Sequence, residues 1–169
     1  MARFEEWDGA GRRFDAVTAF TAFHWLDASA KYERAARLLR DDGSLAVVTT
    51  SHVFLDDMDA ALGELQQEYA AIGWGDGSFR PPRPGELPGF REEIESSGYF
   101  RDVSVRRYLM RVRYSSEEFV SVLGTYSDHL ALDPETRERL FSGLRRRIDR
   151  LGGTFAKDYE FTLHVARRR

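Results

Sequence analysis

Cysteine is absent from this chain of 169 residues, which excludes disulfides, thiolate metal sites and a cysteine nucleophile. The four histidines, His24, His52, His129 and His164, are far apart and lack paired-ligand spacing, so we expect no metal site. No apolar run reaches the roughly 18 residues of a membrane span, and the N-terminal stretch has no signal-peptide apolar region. These absences suit a reducing compartment, and we expect a cytoplasmic protein that does not bind membranes.

An excess of positive charge is also lacking, since 25 basic and 28 acidic residues give a formal net charge of −3. Without a positive field, nucleic acid is not a favoured partner, and neither is an anionic lipid surface. The hydrophobic fraction of 42% is sufficient for a packed core. The length and composition therefore predict one domain over residues 1–169.

A strand, a helix and a second strand follow one another between residues 14 and 51. The apolar run Phe14–Phe20 predicts a buried strand, and the loop TAFHWLD follows it. A helical stripe over residues 28–39 ends at Asp42-Gly43, and Leu45–Thr50 predicts the next buried strand. This order is typical of a βαβ unit, the building block of a parallel sheet covered by helices.

Three further elements are predicted between residues 56 and 114. Apolar spacing indicates a helix over residues 56–72, and a short helix is expected over residues 90–97. The long strand that follows changes its alternation phase, which predicts a bulge or bend near Arg107 and Tyr108.

A helical region and a final strand complete the chain. Ser115 and Glu118 have capping-box spacing, and Asp133-Pro134 marks the start of another helix, which ends at Gly152-Gly153. The last segment alternates as a half-buried strand does. One row holds Tyr159, Phe161, Leu163 and Val165, and the other row holds Glu160, Thr162 and His164.

Two stretches of the sequence resemble class I S-adenosylmethionine-dependent methyltransferases. FDAVTAFTAFHWLD followed by ARLLRDDGSLAVV resembles the family's fourth strand, active-site loop and fifth strand. The stretch from YSSEEFVSVL to TLHVARR resembles the C-terminal region of a branch with trans-aconitate methyltransferase-like proteins and other small-molecule methyltransferases. The resemblance implies an α/β, Rossmann-like fold with a mostly parallel sheet, an antiparallel last strand and a helical insertion over about residues 115–151.

The family's glycine-rich cofactor loop has no counterpart in this sequence. Gly9-Ala10-Gly11 does not replace it, because such a loop follows a buried strand and begins a helix. The acidic residue that contacts the ribose after the second strand is also missing. The chain therefore resembles a methyltransferase that lacks its first three strands, either as a truncated gene model or as a natural remnant with another role.

The resemblance implies S-adenosylmethionine as the cofactor and assigns one wall of its site. Phe4 and Glu5, in the stretch ARFEEW, would lie near the adenine. Ala19, Phe20 and Thr21 match the end of the fourth strand, which lines the methionine and sulfonium region of the cofactor.

The methyl acceptor is implied to lie beside the loop after that strand. His24 is the candidate general base, since histidine titrates near neutral pH, although a loop histidine beside a tryptophan is often structural. Trp25 would face the acceptor, and Tyr126 and His129 would line its pocket from the inserted helices.

The expected function is methyl transfer from S-adenosylmethionine to a small molecule, impaired in this chain by the missing loop. The alternative is a non-catalytic interaction protein. Without the first three strands, residues 14–20 would form an exposed edge strand, and an apolar edge invites pairing with a second copy of the chain. A homodimer is therefore a possible assembly.

Overall fold

The computed structural model describes residues 3–7, 9–55, 59–75 and 81–169. It shows an α/β fold, and short 3-10 helices cover Gly9–Gly11 and Phe23–Trp25. The strands and α-helices of the described chain are β1 (Phe14–Phe20), α1 (Lys31–Leu38), β2 (Leu39–Val53), α2 (Asp59–Ala71), α3 (Arg91–Ser96), β3 (Phe100–Ser115), α4 (Ser116–Leu123), α5 (Ser127–Leu130), α6 (Pro134–Arg150) and β4 (Thr154–Arg168).

The sheet has the strand order β1-β2-β4-β3. β1 pairs in parallel with β2, with Val17 opposite Leu45 and Phe20 opposite Val48, which confirms the predicted βαβ unit. β1 is an edge strand within the described residues, where β2 is its one partner. The side chains of β1 are accordingly half-buried or exposed, unlike those of a strand covered on both sides.

The junction between α1 and β2 differs from the prediction. The helix ends at Leu38 and the strand begins directly at Leu39, so Gly43 does not end the helix. Asp42 instead has a left-handed φ of 60°, and the pairing register with β1 shifts at this point. A Cβ atom at Gly43 would lie 3.0 Å from the carbonyl oxygen of Arg40 and 3.2 Å from that of Asp15, so a larger residue would crowd the backbone there.

The chain divides into two compact units. Unit 1 comprises residues 1–51, 85–109 and 160–169, and unit 2 comprises residues 52–84 and 110–159. β2, β3 and β4 each contribute residues to both units. This division describes contacts and does not show whether the two units fold as one cooperative domain. One domain over residues 1–169 therefore stays a prediction.

Unit 1 has its own hydrophobic core between helices and sheet. α1 and α3 contribute one side, and strands contribute the other. In β3, Asp102 has a left-handed φ of 56°. The bulge or bend expected near Arg107 and Tyr108 stays a prediction. The core residues of unit 1 include Phe23, Tyr32, Ala35, Ala36, Leu39, Leu45, Val47, Phe90, Ile94, Phe100, Val103 and Ala166.

The polar row of β4 is the more buried row in unit 1, although its alternation suggested a polar face toward solvent. Glu160 and His164 are 2% and 1% exposed, while the apolar side chains between them are only half-buried. The reason is the segment that precedes α3. The backbone N–H of Gly85 donates to Glu160 Oε2 at 2.7 Å, and that of Phe90 donates to His164 Nε2 at 3.0 Å.

Unit 2 is built mainly from α2 and the helices α4, α5 and α6. The predicted capping box is present, since Ser115 Oγ accepts from the N–H of Glu118 while the Glu118 carboxylate accepts from Ser115. The Asp133 side chain caps α6 through the N–H of Thr136 at 2.9 Å, also as predicted. The core of unit 2 includes Phe54, Leu65, Phe119, Val120, Leu123, Leu140, Phe141, Leu144, Ile148, Phe155 and Ala156.

Candidate functional site

Thr21, directly after β1, has an unusual backbone conformation. Its φ is 49°, a left-handed value that is an outlier for a β-branched residue. Two bonds to β2 hold it: its N–H donates to the carbonyl oxygen of Val48 at 2.8 Å, and its hydroxyl lies 3.0 Å from that of Thr50. Strain of this kind concentrates at functional sites, so it favours the predicted role of Thr21.

Large aromatic side chains are exposed beside this strand end. Phe20 is 69% exposed and Trp25 is 80% exposed, whereas Phe23 between them is buried in the core of unit 1. His24 is exposed, and its ring centroid lies 4.8 Å from that of Trp25. The paired rings of His24 and Trp25 are therefore a candidate binding surface.

Phe4 and Glu5, the other predicted cofactor contacts, are also in unit 1. Phe4 is partly buried against the core, which Ala19 borders as well. The carbonyl oxygen of Phe4 accepts a hydrogen bond from Arg34 Nε at 3.3 Å. Glu5 is half-buried and lies 3.9 Å from the guanidinium of Arg3. These contacts within the described residues do not show whether Phe4 and Glu5 bind adenine, so that role stays a prediction.

The carboxyl end of a parallel strand is where ligands bind in open α/β sheets. This end of β1 is formed by Ala19 and Phe20, and Thr21 follows directly. His24 lies in the short 3-10 helix just after it. A recess of about 650 Å³ lies at the opposite end of β1, beside Arg13. We assign the candidate site to the carboxyl end, because the strained and exposed residues are there.

Tyr126 and His129, the predicted acceptor contacts, lie together in unit 2. Their ring centroids are 5.8 Å apart. His129 is buried, and both of its ring nitrogens are bonded: Nδ1 lies 2.8 Å from Asp128 Oδ1 and Nε2 lies 3.1 Å from the Tyr69 hydroxyl. Tyr126 is half-buried and bonds to two further polar groups. Contact of either residue with an acceptor stays a prediction.

Two hydrogen-bond partners of the Tyr126 hydroxyl, Lys157 and His52, are candidate functional residues that the sequence analysis missed. Lys157 Nζ donates to the Tyr126 oxygen at 2.8 Å, and the Tyr126 hydroxyl lies 3.1 Å from His52 Nε2. Lys157 is only 6% exposed. Its ammonium lies 4.7 Å from the ring centroid of Tyr126, 5.8 Å from that of Tyr159 and 5.9 Å from that of Phe119.

Burial changes the ionisation of this cluster. Desolvation lowers the pKa of Lys157 to about 8, although the carboxylate of Asp128 acts in the opposite direction. Desolvation and the nearby Lys157 charge lower the pKa of His52 to about 4. At pH 7 the lysine is therefore a cation and His52 is neutral.

Strand periodicity contained a signal for Lys157. Phe155, Lys157 and Tyr159 are alternate residues, so they share one face of β4. A lysine in an aromatic row is a candidate for a buried, functional cation. The predicted row begins at Tyr159, whereas the observed strand begins at Thr154 and includes Phe155 and Lys157.

No group of three or more histidine, aspartate or glutamate side chains in the described part of the chain has metal-binding geometry. Likewise, none of its helices is long and apolar enough to cross a membrane.

The chain has a Rossmann-like α/β fold with a βαβ unit, and its fold aligns with solved structures of methyltransferases. One provisionally identified as a type II methyltransferase, from Anaeromyxobacter dehalogenans, has a TM-score of 0.56 at 16% identity. The alignment covers 92% of this chain and 65% of that protein. No protein-family model matches the chain, and no curated protein does.

Two further alignments have TM-scores below 0.5, so the fold rests on the first. A provisionally assigned methyltransferase from Bacillus halodurans has a TM-score of 0.46 at 17% identity, covering 98% of this chain and 69% of that one. Phosphoethanolamine N-methyltransferase 2 from Haemonchus contortus, solved with S-adenosyl-L-methionine, has a TM-score of 0.35 at 14% identity, covering 92% and 33%. The chain spans about two thirds of the length of the first two proteins.

Proposed function

We propose that the chain takes part in methyl transfer from S-adenosylmethionine to a small molecule. The observation that carries this proposal is the carboxyl end of β1, where Thr21 is strained and Phe20 is exposed within a methyltransferase fold. Fold alone does not define activity, so the argument depends on whether these residues suit the cofactor.

The residues of this strand end fit the apolar part of the cofactor. The exposed ring of Phe20 and the small side chain of Ala19 offer apolar surface, and the Thr21 hydroxyl is an exposed polar group. S-adenosylmethionine supplies a methyl group on a positively charged sulfur, and transfer depends mainly on positioning. Ala19, Phe20 and Thr21 would hold this region, while Phe4 and Glu5 would contact the adenine.

The acceptor needs a base only when it carries a proton that must leave. His24 is exposed and makes no hydrogen bond within the described part of the chain, so its imidazole is accessible to take that proton. Trp25 would pack against the acceptor, and contact of Tyr126 and His129 with the acceptor is a separate proposal within unit 2.

We propose that the cofactor binds weakly to residues 1–169. Backbone N–H groups of a glycine-rich loop normally hold the anionic end of such a ligand, and this sequence contains no counterpart of that loop. We expect a dissociation constant on the order of 1 mM rather than 1 μM.

A titration with S-adenosylhomocysteine, followed by backbone amide NMR shifts, tests this proposal. We expect shifts at Ala19, Phe20 and Thr21. Phe20→Ala should weaken binding at least about tenfold by removing apolar contact. Tyr108→Ala, which removes a half-exposed aromatic ring from β3, is the matched control and should leave affinity unchanged. Shifts confined to other residues, or none from a folded protein, would contradict a cofactor site here.

A non-catalytic interaction protein is the second candidate, and the edge position of β1 favours it. Thr18 and Phe20 are exposed on an apolar strand that has one partner in the described chain. We propose that this edge pairs with the same edge of a second copy.

Lysine substitutions distinguish this candidate. Thr18→Lys places a charge on the exposed edge and should reduce dimer formation at least tenfold, whereas Thr154→Lys at an exposed position on β4 should not. Val17→Lys is less useful, because Val17 packs against the core. A wild-type protein that elutes as a monomer at all concentrations would contradict the dimer.

A further inference from the structure

Lysine is used in an unusual way in this protein. Of the 25 basic residues only Lys31 and Lys157 are lysines, and they are 4% and 6% exposed. Lys31 bonds to the carboxylate of Glu93 at 3.0 Å. Lys157 has no such partner, since no carboxylate among the described residues lies within ion-pair distance of its ammonium. A buried cation without a counterion is costly, so Lys157 requires an explanation other than ion pairing.

The groups in contact with the Lys157 ammonium among the described residues are uncharged. Aromatic rings of Phe119, Tyr126 and Tyr159 surround the ammonium at the distances given above, and the Tyr126 oxygen accepts one of its three N–H bonds. Asp128 acts only through space, because its carboxylate bonds to His129. Lys157, His52 and Tyr126 together therefore carry one positive charge at neutral pH, on Lys157.

His52 adds an unused hydrogen-bond donor to this cluster. Because Lys157 donates to the Tyr126 oxygen, the Tyr126 hydroxyl is directed to donate to His52 Nε2. The proton of the neutral imidazole is then on Nδ1. This Nδ1 atom is buried and has no hydrogen-bond partner among the described residues, although a buried polar group normally has one.

We propose that Lys157, with His52 and Tyr126, binds the carboxylate of a small organic anion. The ammonium supplies the positive charge and the N–H bonds that Tyr126 does not accept, and the Nδ1–H of His52, held in that tautomer by Tyr126, supplies a further donor. Tyr126 and His52 are half-buried, so the ligand approaches from their side. This binding site lies in unit 2 and shares Tyr126 with the proposed acceptor contacts, and its test requires neither cofactor nor methyl transfer.

A carboxylate suits the cluster better than a phosphate does. One buried cation balances one negative charge, whereas a phosphate monoester carries about −1.5 to −2 at pH 7 and would leave an excess. The three aromatic rings near the ammonium also favour an organic ligand, because they can contact its apolar atoms.

The test is a titration of the full chain with acetate, succinate and benzoate at pH 7, compared with sodium chloride at equal ionic strength. We expect at least one carboxylate to raise the unfolding temperature progressively, and chloride to have a smaller effect. Lys157→Met should weaken this binding at least about tenfold while keeping apolar volume. Lys31→Met, which changes the other buried lysine, should retain it.

The pH dependence gives a second measurement that does not require a variant to fold. Carboxylate affinity should fall as the pH rises from 7 to 9, because the pKa of Lys157 is about 8 and its charge is lost in this range. Equal effects of carboxylates and chloride, tighter binding of inorganic phosphate, or affinity that is constant up to pH 9 would each overturn the proposal.

Discussion

Thr18 and Thr21 have the same side chain and lie three residues apart, but their backbone conformations differ. Thr18 lies within β1 and Thr21 has a φ of 49°. A left-handed conformation costs an L-residue about 1–2 kcal/mol, and glycine avoids this cost. The strain at Thr21 is thus a local instability at the end where we place the site.

Exchanging each threonine for glycine should have opposite effects on stability. We expect Thr21→Gly to raise the free energy of unfolding by up to about 1 kcal/mol, because relief of strain exceeds the loss of one exposed hydrogen bond. Thr18→Gly should lower it by about 0.5–1 kcal/mol, because glycine weakens a strand. Urea unfolding measures both, and destabilisation of similar size by both variants would show that Thr21 is not strained.

His164 should make stability depend on pH. Its burial lowers its pKa, so between its folded-state pKa and about 6.5 the unfolded chain binds more protons than the native chain. The free energy of unfolding should therefore fall as the pH is lowered from about 6.5, by about 1.4 kcal/mol per pH unit for this group at the steepest.

His164→Gln separates this contribution from other titrations. Glutamine cannot titrate, but its amide oxygen can accept the N–H of Phe90 as His164 Nε2 does. The variant should show a smaller loss of stability between pH 7 and 5, measured by urea unfolding at each pH. His52 stays in both proteins and contributes equally to both slopes, so equal slopes would contradict a titrating role for His164.

At the scale of elements, two helix glycines have different surroundings. A Cβ atom at Gly63 in α2 would contact nothing, whereas one at Gly143 in α6 would collide with the carboxylate of Glu68. That carboxylate accepts hydrogen bonds from Arg147, including one of 2.7 Å. α2 and α6 are therefore joined at a point where the second glycine leaves room for an ion pair.

Alanine at the two positions should consequently affect stability in opposite directions. Gly63→Ala should raise the free energy of unfolding by about 0.5–1 kcal/mol through helix propensity. Gly143→Ala should lower it, because displacement of Glu68 from Arg147 outweighs the same gain in propensity. Thermal unfolding of both variants is the measurement, and stabilisation by both would mean that Glu68 moves at no cost.

The elements that sequence predicted well are those fixed by local chemistry. β1 has the predicted bounds, and the caps at Ser115 and Asp133 form within their own turns. Burial of Glu160 and His164 was not predictable in the same way, because their partners are N–H groups about 75 residues away. The same holds for the candidate site. The resemblance named Thr21 as a candidate residue, but the strain at Thr21 and the hydrogen bond of Lys157 depend on tertiary contacts.

At the scale of the whole molecule, the hydrophobic cores of unit 1 and unit 2 unfold either in one cooperative transition or independently. Leu45 in unit 1 and Leu144 in unit 2 are fully buried. Removal of such a leucine side chain costs about 2–5 kcal/mol. The single-domain prediction requires that damage to either core destabilise both units, since β2, β3 and β4 supply residues to both.

A tryptophan reporter in one unit tests this requirement. Replacing Trp7 and Trp25 by phenylalanine leaves Trp74, in unit 2, as the fluorescent probe. In that background we expect Leu45→Ala to move the urea transition seen by Trp74 to lower concentration, as Leu144→Ala should. A Trp74 transition unaffected by Leu45→Ala would identify two independently folding domains.

The burial of both lysines limits how readily reagents can modify their side-chain amines. Lys31 lies in unit 1 and Lys157 in unit 2, and both ε-amines are enclosed in the folded state. Acylating reagents attack the neutral, accessible amine, so each lysine can be modified only when its surroundings open. The rate at which each residue acquires a label therefore measures the opening of one unit separately, with a reporter that the sequence already contains.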